Sequence, residues 1–231
     1  MANILIIGSS SGIGLSLSKS LIAGGHRVFG TFLKTEITHQ GFEKIQQLDV
    51  LGDALDLSFV PDVLDGVAYC PGAILLKPFS RIKPADFSAD YQLQFLGAVK
   101  VLQACLPKLK NSQSPSIVLF STVAAQTGFN FHSLVSSSKG AVEGLTRALA
   151  AEFAPKIRVN CIAPSIVDTP LAGSLLGSEE KKEANAQRHP LKKIGNSEDI
   201  ANMAEFLLSE KSSWITGQVL HADGGISRLK V

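Results

Sequence analysis

The chain has 231 residues, and 45% of them are hydrophobic, which is sufficient for one α/β domain with a continuous core. Twenty-two basic residues against twenty acidic ones leave a formal net charge of +2, a balance that argues against nucleic acid or an anionic membrane as the main partner. No segment approaches the roughly 18 uninterrupted apolar residues of a membrane span, and the apolar run after Met1 is too short for a secretory signal.

The three cysteines are spread along the chain. Cys70, Cys105 and Cys161 are odd in number and flanked by apolar residues, a pattern typical of reduced thiols rather than of a disulfide framework. No two of them have the spacing of metal ligands. We therefore expect a cytoplasmic protein without a metal site.

The first thirty residues or so have the pattern of a βαβ unit. An apolar run over 4–7 predicts a strand buried on both faces of a parallel sheet. Ile13, Leu17 and Leu21 follow at helical spacing, and this helix ends at Gly24-Gly25. A second strand is predicted over 28–32.

The same alternation continues to the end of the chain. Further buried strands are predicted over 67–70, 117–121, 159–162 and 219–222, and helices over 84–108, 134–154 and 197–209. Ser197 is the predicted cap of the last helix, and the polar stretch 172–193 is the segment most expected to be mobile. The pattern favours a Rossmann-type, doubly wound parallel sheet in a single domain over 1–231.

The turn between the first strand and the first helix contains Gly8, Gly12 and Gly14. Glycines at this place let the backbone approach a pyrophosphate, which free N–H groups and the helix dipole then stabilise. The spacing is G-x3-G-x-G and differs from the G-x-G-x-x-G dinucleotide fingerprint. Taken alone, the motif is also compatible with an ordinary tight turn.

From end to end, the chain resembles the short-chain dehydrogenase/reductase family, especially its β-ketoacyl-carrier-protein reductase-like branch. The matching positions beyond the glycine turn are Asp49-Val50, Gly72, Ser121-Thr122, Lys139, 158–165, Thr169-Pro170, 214–218 and 223–225. The resemblance implies an NAD(P)-dependent enzyme that acts on a carbonyl or alcohol.

The resemblance also implies how the cofactor is held. Asp49 would contact adenine, the Val167 backbone would meet the nicotinamide carboxamide, and Thr169 would lie beside it. The full set implied for cofactor binding is Gly8, Ser10, Ser11, Gly12, Ile13, Gly14, Lys34, Asp49, Val50, Gly72, Lys139, Val167 and Thr169. For Asp49 a helix cap or a solvated turn remains an alternative, and for Thr169 a plain loop hydroxyl.

The end of the second strand bears on the choice between the two nicotinamide cofactors. A carboxylate there would accept ribose hydroxyls and repel a 2′-phosphate, whereas a basic residue would attract the phosphate. The strand ends with Phe32, Leu33 and Lys34, with no acid, and this favours NADP(H) over NAD(H). Ser11 argues the other way, because many NADP-using relatives place an arginine at that position.

The catalytic set of the family is altered in this chain. Relatives use a tyrosine as the proton donor, a lysine four residues later, a serine that binds the carbonyl oxygen and an asparagine that supports a proton relay. Counting from Lys139 places Val135 at the tyrosine and Thr122 at the serine, and Gln94 stands at the asparagine. Thr122 keeps a hydroxyl for a developing oxyanion, but a valine cannot donate a proton.

Several side chains are candidates to replace the missing donor. His132 lies three residues before Val135, Ser136 is adjacent to Val135 but rotated about 100° around the helix, and Tyr69 is predicted to be buried near the nucleotide. Lys139 itself is a donor if desolvation lowers its pKa. For each of them an ordinary structural role is the alternative.

Two functions therefore remain open. The first is an oxidoreductase that uses Thr122 and Lys139 with an unusual proton source, and the second is a cofactor-binding or structural subunit that pairs with an active homologue. Small residues along 134–154 favour a homo-oligomer, a dimer or tetramer, and a hetero-oligomer is the alternative. Pro61 interrupts the expected third helix, and this puts the adenine side of the pocket in doubt. The resemblance implies that the substrate is a small molecule.

Overall fold

A seven-stranded parallel sheet is the centre of the computed structural model, which describes residues 1–36 and 38–230. Its strands are β1 (Asn3–Ile7), β2 (Arg27–Phe32), β3 (Lys44–Gln47), β4 (Gly66–Tyr69), β5 (Ser116–Phe120), β6 (Arg158–Pro164) and β9 (Val219–Ala222). They lie in the order β3-β2-β1-β4-β5-β6-β9, and the short strands β7 (Val167–Asp168) and β8 (Gly195–Asn196) form a separate pair. This order confirms the predicted Rossmann-type, doubly wound sheet.

Six α-helices in the described residues connect these strands. They are α1 (Gly12–Ala23), α2 (Pro84–Tyr91), α3 (Gly97–Lys110), α4 (Ser133–Phe153), α5 (Glu179–Gln187) and α6 (Ser197–Leu208). The stretch predicted to be helical, 84–108, is helical over Pro84–Lys110, with an unpredicted π-helical turn, Gln92–Leu96, between α2 and α3. Such turns are frequent at functional sites. The stretch 172–193 contains the helix α5.

The N-cap of α6 differs from the predicted one. Its cap is Asn196 rather than Ser197, because the Asn196 side chain accepts a hydrogen bond from the Asp199 N–H at 2.8 Å. The Asp199 carboxylate in turn accepts from the Asn196 N–H at 3.0 Å. These reciprocal bonds are a capping box, and they fix where the helix begins.

The core has two halves, one on each face of the sheet. Successive residues of a strand point to opposite faces, so Leu5 and Ile7 pack with α3 and α4, whereas Ile4 and Ile6 pack with α1 and α6. All four side chains are almost fully buried. Burial on both faces explains why the strands are continuous apolar runs.

The connection from β3 to β4 contains no helix in the described residues. It runs as turns over 48–65, with Pro61 near its end, and it buries Leu48, Leu57, Val60 and Leu64 against the sheet. The prediction that the third helix of the pattern is interrupted is thus confirmed. On this side the sheet is covered by an irregular segment.

The strand order places a crevice at the carboxyl end of the sheet. The first three strands run outward from β1 in one direction, and the next three run outward from β4 in the other. Loops that leave β1 and β4 therefore turn to opposite faces of the sheet. This topological switch point is the place where open α/β sheets bind ligands.

Candidate active site

A cavity of about 300 Å³ opens at the carboxyl ends of β1, β4, β5 and β6. Most of its wall is apolar, and the polar groups are few. The side chains that can donate or accept protons or hydrogen bonds there are Cys70, Gln94, Ser121, Thr122, His132, Lys139, Ser165, Thr169, Asn185, Arg188 and His189. A largely apolar pocket with a few convergent polar groups is typical of a small-molecule site.

The glycine turn lies at one wall of this cavity and is shaped by close backbone contacts. Gly8 and Gly12 have φ angles of 81° and 52°, which are in the left-handed region that side chains disfavour. A Cβ atom on Gly14 would lie only 2.2 Å from the Gly8 carbonyl oxygen, so only glycine fits there. The N–H of Gly8 is held by the Thr31 hydroxyl at 3.0 Å.

The turn leaves the N-terminus of α1 open to an anion. Ser11 is the N-cap residue, but its side chain makes no capping hydrogen bond, and the first turn of α1 carries no acidic residue. The first N–H groups of a helix lack intrahelical acceptors and carry the positive end of its dipole. Ser10 and Ile13 flank this turn and are half-buried, and Ile13 lines the cavity. These features fit a dinucleotide pyrophosphate.

Lys139 lies at the base of the cavity on α4. Its Nζ donates to the Phe120 carbonyl oxygen at 2.9 Å, which fixes the ammonium at the end of β5. Burial lowers the pKa of Lys139 from 10.5 to about 8, and the Coulomb effects of Cys161, Asp90 and Cys70 act in the opposite direction. Two further N–H bonds of the ammonium remain available for a ligand.

Thr122 and Gly72 bring further groups to the same place. Thr122 follows β5, and its Oγ1 accepts from the Ala124 N–H at 3.3 Å, so its own hydroxyl hydrogen is free to be donated into the cavity. A Cβ atom on Gly72 would lie 3.6 Å from Gln94 Oε1 and 4.0 Å from Lys139 Nζ. Because glycine has no side chain, the space next to both Gln94 Oε1 and Lys139 Nζ stays open at Gly72.

Gln94 is oriented by a buried carboxylate that sequence reasoning missed. Its Nε2 donates to Asp90 Oδ1 at 2.8 Å and weakly to the Ala73 carbonyl oxygen at 3.4 Å. Because a carboxylate and a carbonyl only accept, the amide nitrogen faces them and Oε1 faces the opposite way. Among the described residues, both Gln94 Oε1 and Asp90 Oδ2 are buried without a hydrogen-bond partner. Oε1 is thus an open acceptor at the base of the cavity.

Val135 lines the cavity one turn before Lys139 and is 7% exposed. Two of the candidate substitutes for an acid are engaged elsewhere. The Tyr69 hydroxyl donates to the Leu93 carbonyl oxygen at 2.6 Å, and burial raises the pKa of this phenol. The Ser136 hydroxyl donates to the Ala124 carbonyl oxygen at 2.8 Å. Both hydroxyl hydrogens are therefore used in hydrogen bonds to the backbone.

His132 is the third candidate, and it lies at the N-cap of α4, as predicted for the loop that enters the helix. Its Nδ1 is 2.7 Å from the Asn130 carbonyl oxygen, so this ring is tied to its own loop. The ring of Phe129 lies 5.6 Å away from it, centroid to centroid. His132 is half-buried and contributes to the cavity wall.

Val167 and Thr169 lie on the opposite wall, after β6. Val167 is buried and Thr169 half-buried, and a Cβ atom on Gly12 would lie 3.4 Å from Thr169 Cγ2. The Thr169 Oγ1 donates weakly to the Val167 carbonyl oxygen at 3.4 Å and accepts from the Ala172 N–H at 3.4 Å. The glycine turn and this segment therefore face each other across a narrow gap.

Eight of the residues predicted to bind cofactor are not part of the cavity lining: Gly8, Ser10, Ser11, Gly12 and Gly14 of the glycine turn, and Lys34, Asp49 and Val50. Lys34 is exposed just beyond β2, and Asp49 is exposed beyond β3, where its Oδ1 accepts from the Leu51 N–H at 2.9 Å. Val50 is buried and packs near Gly97, at the start of α3. Lys34, Asp49 and Val50 lie beyond the ends of β2 and β3.

A serine and a histidine in the cavity were also missed. The Ser165 Oγ lies 2.8 Å from His189 Nε2, and His189 Nδ1 lies 2.8 Å from the Asn185 carbonyl oxygen. His189 is 3% exposed. The two residues are far apart in sequence and follow no periodic pattern, so only the fold brings them together.

Burial makes the thiol of Cys70, which lines the cavity, and the thiol of Cys161 in β6 poor nucleophiles. It raises the pKa of Cys70 and of Cys161 to about 12 each, so both remain protonated at neutral pH. All three cysteines are unpaired. Within 1–36 and 38–230, no cluster of three or more His, Cys, Asp or Glu side chains is arranged to hold a metal ion, and no helix has the length and hydropathy needed to cross a membrane.

Comparison with known proteins gives consistent matches. A family model described as enoyl-(acyl carrier protein) reductase matches residues 7–227. A tropinone reductase homolog of Arabidopsis thaliana is 36% identical over 157 residues, which are 68% of this chain and 60% of that protein. L-Xylulose reductase of Bos taurus is 29% identical over 230 residues, or 96% of this chain and 94% of that protein. The structure of ElxO with NADP bound has a TM-score of 0.85 at 28% identity, covering 98% of this chain and 99% of that one.

Proposed function

Because the chain belongs to the short-chain dehydrogenase/reductase family of oxidoreductases, we propose that it interconverts a carbonyl and an alcohol with a nicotinamide cofactor. The observation that carries the proposal is one cavity at the topological switch point that is lined by Ile13, Thr122 and Lys139, with the glycine turn packed beside it against Thr169. A nicotinamide dinucleotide supplies or accepts the hydride when it is bound. The residues of the chain position the reactants.

The cofactor is held from both walls of the cavity. The turn around Gly8, with Ser10, Ser11, Gly12, Ile13 and Gly14, provides N–H groups and close backbone approach for the pyrophosphate. Lys139 donates its free N–H bonds to ribose hydroxyls, and the backbone of Val167 with Thr169 holds the carboxamide. Asp49, Val50 and Gly72 line the adenine and ribose side.

The cofactor is NADP(H) in preference to NAD(H). Lys34 is exposed beyond β2, where an ammonium attracts a 2′-phosphate and where a carboxylate would repel it. The solved structure of ElxO, a similar protein, has NADP bound. The cation is solvated, so the preference is expected to be modest.

At the reacting end, Thr122 donates its free hydroxyl hydrogen to the substrate oxygen and stabilises negative charge that develops there. Gln94 stands where the family has its asparagine and presents Oε1 as an acceptor. Val135 stands where the family has its tyrosine, so the proton must come from another group. The apolar wall of the cavity favours a substrate with an apolar body, and Leu171 and Leu175 contribute to this wall.

The test has two stages. NADPH and NADH are first titrated into the protein and binding is followed by nicotinamide fluorescence. Oxidation is then followed at the nicotinamide absorbance band with an acetoacetyl thioester, cyclohexanone and 1,4-benzoquinone. We expect tighter binding of NADPH and turnover of at least one carbonyl. Lys139→Met should lose binding, whereas Lys110→Met, at an exposed site on α3, should not.

One observation favours a second function, that of a cofactor-binding subunit without chemistry. Val135, which the resemblance places at the family's tyrosine, lines the cavity and cannot donate a proton, and positioned acid catalysis contributes about 10²- to 10⁴-fold in rate. Binding of NADPH with no turnover of any carbonyl would support the subunit, and absence of binding would exclude both functions.

For both functions we expect a cytoplasmic homo-oligomer that associates through the small residues of α4, and a hetero-oligomer is the alternative. Size-exclusion chromatography with light scattering measures the oligomeric state.

A further inference from the structure

The hydrogen bonds around His189 define the tautomer of its ring. The backbone carbonyl of Asn185 can only accept, so Nδ1, at 2.8 Å from it, must carry a hydrogen. In the neutral imidazole Nε2 is then the acceptor. It follows that the Ser165 hydroxyl, at 2.8 Å, donates to Nε2.

The pair is held rigidly and faces the cavity. Ser165 follows β6 directly, and His189 follows α5, whose last turn provides the Asn185 carbonyl. A Cβ atom on Gly224 would lie 3.4 Å from the His189 ring, so the C-terminal loop packs against the imidazole. His189 is 3% exposed, and both members of the pair line the cavity that contains Thr122 and Lys139. A hydroxyl, a base and a group that orients the base are the elements of an acid–base device.

We propose that Ser165 and His189 deliver the proton that the family's tyrosine would supply, an inference that rests on the proposed function. In carbonyl reduction, the carbonyl carbon receives the hydride from a reduced nicotinamide dinucleotide, which is thereby oxidised. The C–O π electrons move to oxygen, and this oxygen takes the proton of the Ser165 hydroxyl. Delivery starts after His189 has taken a proton from solvent, so that Nε2–H donates to Ser165 Oγ and the Ser165 hydroxyl hydrogen is free for the substrate. As that hydrogen leaves, Oγ takes the Nε2 proton, and His189 returns to the neutral Nδ1–H form. Oxidation of an alcohol uses the same atoms in reverse.

Other hydroxyls near the cavity lack such a partner. Ser121 donates to the buried Glu143 at 2.8 Å, and Tyr69 and Ser136 donate to backbone carbonyls. Thr122 can bind the oxygen, but its Oγ1 contacts a backbone N–H rather than a base. Within the described residues, Ser165 is the cavity hydroxyl that is hydrogen-bonded to an imidazole.

The first test is independent of activity. Long-range proton–nitrogen correlation spectra of protein labelled at histidine nitrogen report the tautomer of each ring. We expect His189 as the Nδ1–H tautomer, and Ser165→Ala should move the Nε2 signal and leave Nδ1 unchanged. An Nε2–H tautomer, or no response to Ser165→Ala, would overturn the assignment of the pair.

The second test uses turnover of the fastest carbonyl in the panel above. Ser165→Ala should lower kcat by about 10²- to 10⁴-fold, with KM and NADPH affinity nearly unchanged. His189→Asn keeps an amide that can donate to Asn185 but lacks an acceptor for Ser165, and it should show the same loss. The matched controls Ser137→Ala and His39→Gln, away from the cavity, should retain activity.

Rescue separates proton delivery from substrate anchoring. Adding Val135→Tyr to Ser165→Ala places a phenol one helical turn before Lys139, and it should restore most of the lost kcat. A loss confined to KM without this rescue, or full activity of Ser165→Ala, would overturn the proposal while the oxidoreductase function stands. A wild-type protein that binds NADPH but reduces no carbonyl would refute both.

Discussion

Replacement of Lys139 by methionine should stabilise the fold while it abolishes cofactor binding. The side chain is buried, and its pKa in the folded protein is about 8 against a usual value of 10.5. This difference corresponds to about 3 kcal/mol that the charged lysine costs at pH 7. Loss of the hydrogen bond to the Phe120 carbonyl oxygen, at 2.9 Å, offsets about 1 kcal/mol. The expected net gain is about 2 kcal/mol.

The effect of Lys139→Met on the free energy of unfolding should depend on pH, because the charge of Lys139 does. Below pH 8 the lysine is protonated in both the folded and the unfolded protein, so its full cost is present. Between pH 8 and 10.5 the folded protein has lost this proton while the unfolded chain still binds it, and wild-type stability rises with pH. Over this interval the advantage of Lys139→Met should shrink by about 1.4 kcal/mol per pH unit.

Urea unfolding of the wild type and the variant at pH 7 and at about pH 9.5 measures this difference, at one protein concentration throughout. Lys110→Met provides the control, because its lysine is exposed at the end of α3 and its effect should be small at both pH values. A destabilised Lys139→Met at pH 7 would refute the reasoning. So would an equal difference between variant and wild type at both pH values.

Three further changes test other parts of the site. Gly14→Ala should destabilise the protein by more than about 2 kcal/mol in thermal unfolding and abolish NADPH binding, because its Cβ would lie 2.2 Å from a backbone carbonyl oxygen. Tyr69→Phe should cost about 1 to 2 kcal/mol in urea unfolding, because it leaves the carbonyl oxygen of Leu93 unpaired in the π-helical turn. Lys34→Glu should weaken NADPH binding several-fold in fluorescence titration and leave NADH nearly unaffected.

The fold could be predicted largely from the sequence because its strands are buried on both faces. The run 117–120 is apolar at every position, and the six strands predicted from such runs lie within a residue or two of the observed β1, β2, β4, β5, β6 and β9. The π-helical turn between α2 and α3 could not be predicted. Such a turn adds one residue to a helix, and the composition of this segment is helical on both sides of it. Asn196 and Ser197 are adjacent and both can cap a helix. Composition alone does not decide which of the two side chains accepts the hydrogen bond from the Asp199 N–H.

The site was predictable where it depends on local spacing. Gly8, Gly12 and Gly14 surround one turn, and Lys139 lies one helical turn after Val135, so their proximity follows from the elements alone. Asp90 is different, because a carboxylate on a helix is usually solvated, and only the packing of α2 against α4 buries it beside Gln94.

The proximity of Ser165 and His189 could not be predicted from local spacing, because the two residues belong to different elements of the fold. Their positions also indicate which parts of the fold would serve hydride transfer and which would serve proton transfer. In the proposed reaction, the hydride side depends on the body of the fold, since the glycine turn and Lys139 are fixed by β1, α1 and α4. The proton side depends on the segment that contains α5, because His189 and the Asn185 carbonyl both belong to it. The hydrogen bond from Ser165 therefore ties this segment to the end of β6. If the proposal holds, the proton donor is complete only when this segment packs on the cavity, so water exclusion and acid catalysis arise together.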